Sequence, residues 1–183
     1  MASSITTSTA VEVAPGAELG VVQQITAFIE VLLLGVWLGS MIFFSFAVAP
    51  SAFAVLPTRE MAGVMVTSTI GKIDAIGLII GTLLILIHVA NWRSGQSSGA
   101  IKTFRTFLLL LMVTSAALSR FWISPAMVSL RAQMRGHIDD VAVTDPMRIQ
   151  FNYLHQYSVG LMSAAMISGL VVLFLTVRSW LKR

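Results

Sequence analysis

Four long apolar runs, parted by short polar stretches, set the pattern of this chain. The first covers about 25–49: Ile25 and Phe28 lead into the unbroken run Val31–Ala49. The second opens at Thr58, an N-cap residue type, with Arg59 and Glu60 in the first turn. Met61–Ile70 is mixed, and Ile73–Ala90 is the membrane-grade part of a span over 73–92. Ser94–Ala100, reading SGQSSGA, is a polar, glycine-rich breaker. The third run, 104–123, meets Pro125, and a long polar connection follows over Arg131–Asp145. The fourth begins after Pro146 and covers 149–177. Each run suits a hydrocarbon core of ~30 Å at 1.5 Å per residue. Four such spans with short links predict an all-α fold, an integral membrane up-down four-helix bundle over 21–183. Residues 1–20 are rich in Ser, Thr and Ala, lack the basic start of a signal peptide, and read as a flexible tail.

Composition sharpens this picture. The chain has 183 residues, 56% hydrophobic and 11% charged, too few charges to cover a water-facing surface. Its first partner is therefore the lipid bilayer. With no cysteine, disulfides, thiolate metal sites and cysteine nucleophiles are excluded. The net charge of +4 comes from basic residues at the edges of the runs, which argues against nucleic-acid binding. Orientation is balanced: Arg93, Lys102, Arg105, Arg178, Lys182 and Arg183 face one side, and Arg59, Lys72, Arg120, Arg131, Arg135 and Arg148 the other. We take both termini as cytoplasmic.

Small residues recur at four-residue spacing. Gly35 and Gly39, Gly77 and Gly81, and Gly160 with Ala164 and Ser168 each lie on one helix face. In lipid such faces let backbones approach, so all three are expected to serve helix packing within the bundle. Pro50 and Pro125 are expected to break the first and third helices. The segments before them rhyme, Ser45–Pro50 with Ser119–Pro125, as after a duplication of a helix pair or by chance.

Sorting polar residues by depth gives the candidate chemistry. Ionisable groups within the hydrocarbon usually face the interior and find partners. At the level marked by Pro50 lie Asp74, Arg120, Arg148, Asn152 and His155. Arg148, Asn152 and His155 form one stripe of the fourth helix. One reading is a polar pocket for a ligand or an ion pathway, with Asp74 facing Arg120 or Arg148. The other is a set of interfacial side chains that snorkel and pair to close the bundle. Glu30 needs Arg105 or His88 as partner if it lies within the membrane. His88 and His155 differ in level by roughly 20 Å, so they cannot share one haem iron. No cofactor or metal is expected, although single-histidine haem ligation through His155 stays open. No phosphate loop, zinc-protease helix or nucleophile elbow occurs, and no catalytic residue is assigned.

The segment Trp37-Leu-Gly39-Ser-Met-Ile-Phe43-Phe-Ser-Phe-Ala-Val-Ala-Pro50-Ser-Ala-Phe53, Pro125, and the segment Arg148-Ile-Gln-Phe151-Asn-Tyr-Leu-His155-Gln-Tyr-Ser158 resemble the transmembrane-protein-205-like family. The resemblance runs from about Val21 to Val177. It implies a small, mostly bacterial four-helix membrane protein of unknown function, hence an inner (plasma) membrane location, and carries over no catalytic residue. The first expectation is a non-enzymatic accessory subunit or small-ligand-binding module, with partner subunits or a homo-oligomer. The alternatives are a transporter or proton-pathway protein and a haem-associated oxidoreductase.

Overall fold

The computed structural model describes residues 15–92, 99–134 and 140–181. The described residues are helical with short connections and no strand. Helix α1 (Pro15–Phe43) passes through a π-helical turn (Phe44–Val48) into α2 (Ala49–Val55). Helix α3 (Arg59–Ala90) follows. Helix α4 (Gly99–Leu118) passes through a second π-turn (Ser119–Ile123) into α5 (Ser124–Gln133), and α6 (Pro146–Leu181) closes the bundle. Thus four rods form: α1–α2, α3, α4–α5 and α6. Each is long and apolar enough to cross a membrane. The chain is a multi-pass integral membrane protein.

Local chemistry explains several boundaries. Thr58 Oγ1 accepts from the Met61 amide at 3.2 Å and caps α3, as its residue type suggests. Asp145 Oδ1 accepts from the Met147 amide at 2.7 Å, and Pro146 stands at the first position of α6, where its missing N–H costs nothing. The expected tail is shorter than drawn, since 15–20 are helical. Its remainder (1–14), loop residues 94–98 and the loop histidine His137 lie outside the described residues.

The expected breaks at Pro50 and Pro125 are corrected. Both rods continue beyond proline, to Val55 and Gln133. Proline lacks an N–H, and its ring clashes with the carbonyl four residues back. Here the turn before each proline is widened instead: Ala49 N–H reaches Phe44 O and Ser124 N–H reaches Ser119 O, each five residues back. The extra residue moves the preceding carbonyls out of the ring's way. The rhyme between the two segments is therefore a repeated structural device.

The rods stand in a ring, with α1 on α3, α3 on α4, α4 on α6 and α6 on α1. Leu34, Leu84, Leu109, Met112 and Val172 fill the centre. The outside is equally apolar: Phe46 is 78% exposed, and Phe121 and Trp122 70% each. Only lipid makes such a surface stable.

Of the expected packing glycines, Gly77 and Gly81 pack and Gly35, Gly39 and Gly160 do not. A methyl group at Gly77 would run into the indole of Trp37, and one at Gly81 into Val113 Cγ2 at 2.5 Å. Beside Gly35, Gly39 or Gly160 it would meet nothing within 4 Å, and all three are exposed. That is a correction: on α1 the inward face carries Leu34, Trp37, Leu38 and Met41, which turns both glycines toward lipid. Gly169 of α6 is an unforeseen packing glycine, leaving room for Trp37 Cζ3 and Leu38. Gly77→Ala is expected to cost about 1 to 2 kcal/mol by overpacking. Gly39→Ala should leave stability unchanged or raise it by up to about 1 kcal/mol through helix propensity. Reversible unfolding in mixed micelles checks the contrast, which fails if both substitutions cost the same.

Candidate functional site

Beyond the two π-turns the rods enclose a cavity of about 620 Å³. There the main contacts pair α2 with α3 and α5 with α6, and the cavity lies between the pairs. All four rods line it. Helix α6 contributes Arg148, Phe151, Asn152, His155, Ser158, Val159 and Met162, one continuous stripe at helical spacing. Phe44, Ile70 and Met162 form the deep end, with Val66, Thr67 and Met127 above them. Pro50 lines the wall, so the level it marked in the sequence is indeed the level of a cavity. Arg59, Glu60, Arg131 and Arg148 stand toward the outer end.

These charged residues differ in their partners. Arg148 Nη1 donates to the carbonyl of Val141, which ties the start of α6 to the preceding loop. Arg131 lies with its guanidinium carbon 5.6 Å from the centre of the Phe151 ring, a cation–π arrangement. Its Nη2 also comes within 2.9 Å of where a side chain on Gly63 would begin, so the glycine makes room for it. Glu60 is near enough for its charge to act on Arg131. Asn152 and His155 are exposed along the open side.

The structure divides the residues singled out by depth. Arg148, Asn152 and His155 share the cavity. Asp74 and Arg120 do not line it. Asp74 sits one turn below Ile70 on the same face of α3, buried, and accepts from Ser119 Oγ at 2.7 Å. In the reading that set Asp74 facing Arg120 or Arg148, its hydrogen-bond partner is instead Ser119, which opens the second π-turn, while the charge of Arg120 still acts on it. Arg120, the next residue round the helix, turns outward, donates to Gly71 O at 2.6 Å and lies 5.9 Å over Phe121. Together Ser119 and Arg120 fasten the second π-turn to α3.

Glu30 lies at the other end, paired with Arg105 Nη2 at 2.7 Å. Beside that pair His88 Nε2 is 3.0 Å from Thr106 Oγ1, and its ring meets Trp92 edge-on at 5.4 Å. His88 and His155 are at opposite ends of the bundle, with the leucine-rich core between them. Among the described residues three buried polar atoms have no protein partner: Trp37 Nε1, Arg105 Nε and Ser115 Oγ.

Sequence reasoning missed Arg59, Glu60, Arg131 and Phe151 as members of this site. Arg131 had a legible signal, since Ser124, Met127 and Arg131 fall on one stripe once the helix is carried past Pro125.

Residues 32–136 match the family model described as a domain of unknown function, DUF4149. That is more than half of the chain. The protein belongs to the DUF4149 family. The match in this DUF4149 protein covers the second and third rods and the first from residue 32 onward, and leaves α6, with Arg148, Asn152 and His155, outside it. No curated protein and no solved structure matches the chain.

Proposed function

We propose that this DUF4149 protein is a non-enzymatic membrane module that binds a small molecule in the cavity beyond the π-turns. The observation that carries this reading is a cavity of about 620 Å³ with mixed polar and apolar walls, within the range of ligand pockets. Below it the bundle is filled by Leu34, Leu84, Leu109 and Val172, all at most 1% exposed. A transporter working through the same residues has to open that layer, which favours binding over a standing ion path. The resemblance to transmembrane-protein-205-like sequences fits the same picture. In a bacterial inner membrane with cytoplasmic termini, the cavity lies at the outer face of the membrane.

Two further readings draw on particular residues. A haem reading draws on His155, which lines the cavity, and a Soret band after haem-replete expression is its signature. An accessory-subunit role draws on Gly35 and Gly39, whose bare backbone faces lipid and lets another helix approach.

Native mass spectrometry from mild detergent tests the main reading. The wild type is expected to retain a molecule of defined mass, and Ser158→Trp, which fills the cavity, to lose it. Equal occupancy in both proteins, or none in either, would sink the proposal.

A further inference from the structure

We propose that the cavity takes an anionic single-chain amphiphile, with its acidic head group at Arg131 and its hydrocarbon chain pointing down toward Phe44 and Met162. This rests on the ligand-binding reading above and names the class of ligand.

The charge of the site comes first. Arg131 and Arg148 line the cavity beside one carboxylate, Glu60, while Arg59 has a partner of its own. At the far end of the bundle Glu30 pairs with Arg105. Arg131 makes no such pair; its neighbours are the face of Phe151, the Gly63 backbone and the more distant charge of Glu60. Guanidinium is a planar fork of five donors and cannot be neutralised by losing its proton, so a half-buried one without a carboxylate is a receptor for an anion. Carboxylate and phosphate match the fork two bonds at a time.

The shape of the site then rules out a bare inorganic anion as its natural occupant. Beneath Arg131 the lining is mainly Val66, Ile70, Met127, Met162 and Phe44, with the hydroxyls of Ser45, Thr67, Ser124 and Ser158 among them. The α6 stripe from Arg148 to Met162 spans 14 residues, about 21 Å along the axis. A compact ion would leave most of that depth as apolar space, whereas an alkyl chain fills it with dispersion contacts.

Depth in the bilayer gives the direction. Lys72 and Arg120 are exposed cations close to the level of the deep end, and Arg105 and His88 mark the other boundary. Sixteen residues of α3 part Lys72 from His88, about 24 Å, and snorkelling side chains extend this to a normal hydrocarbon thickness. Thirteen residues of α3, about 20 Å, part Arg59 from Lys72, so the arginine end of the cavity points away from the membrane and its apolar end toward the membrane centre. Head outward and chain inward is also how a lipid stands in its leaflet.

The test uses the full chain in phosphatidylcholine nanodiscs, titrated with dansyl-labelled undecanoic acid and with its methyl ester. The acid is expected to bind at least about tenfold more tightly than the ester, with Arg131→Gln removing that advantage and leaving the ester unaffected. Arg148→Gln, at a different rod, should act in the same direction. Ser158→Trp should abolish binding of both probes, and millimolar inorganic phosphate should displace neither. Equal affinity for acid and ester, or acid binding unchanged in both arginine variants, overturns the anionic assignment while cavity binding stands. Displacement by phosphate overturns the amphiphile in favour of a free anion. Binding of neither probe overturns the amphiphile but not the mass-spectrometric reading. Acid binding that survives Ser158→Trp places it outside the cavity and overturns both.

Discussion

Glu30→Ala is expected to lower the unfolding free energy by about 3 kcal/mol, the largest loss from any single polar substitution in the bundle. The Glu30 and Arg105 side chains are 7% and 16% exposed and meet at 2.7 Å. They join the first and third rods, which stand at opposite corners of the ring and have few other contacts. Removing the carboxylate strands a guanidinium whose Nε already lacks a partner. Glu30→Leu combined with Arg105→Leu should recover much of the loss, because the penalty lies in the unpaired buried charge. Reversible unfolding in mixed micelles, run on both single variants and the double variant, checks this. Additive losses in the double variant would show that the pair is not coupled.

Leu109→Ala is expected to cost about 2 to 3 kcal/mol in the same assay. Leu109 is fully buried among Leu34, Leu84 and Val172. In a water-soluble protein its loss would combine a transfer part with a cavity part. Here the separated helices remain in lipid, so hydrocarbon surrounds the side chain in either state and the transfer part largely drops out. The cavity part persists, because packed neighbours lose dispersion contacts to a void. Leu110→Ala is the control, since Leu110 is 50% exposed to lipid. It should be close to neutral, and a loss equal to that of Leu109 would refute the cavity argument.

Most of the fold was legible because long apolar runs, caps and loop residues are local signals. Thr58, Asp145 and Pro146 mark boundaries by the chemistry of one turn. The course of the rods beyond Pro50 and Pro125 was not legible, since proline reads as a stop unless a widened turn relieves its clash. Stopping the third helix at 123 removed Arg131 from view and, with it, the strongest anion receptor in the cavity. The glycine pairs failed for another reason. Gly35 and Gly39 have the same spacing as Gly77 and Gly81, yet one pair faces lipid and the other faces Trp37 and Val113. Spacing says that two residues share a face, and only the positions of the large inward residues say which face. Asp74 was found at the right depth, but its hydrogen-bond partner was not legible, because Ser119, not a cation, occupies the inward position opposite it.

The two π-turns have a mechanical consequence for the cavity above them. Helices α3 and α6 run past it unbroken, while the other two rods each carry a joint at a similar depth, on alternate corners of the ring. The cavity therefore has two stiff posts and two articulated ones. One of those joints is pinned to the stiff post α3 by Ser119 and Arg120. The other is tied to the second stiff post, α6, by Ser45 Oγ, which bonds back to Met41 O and also donates to Met162 Sδ at 3.9 Å. The weaker of the two ties, a long bond to sulfur, is therefore the one at the foot of α2.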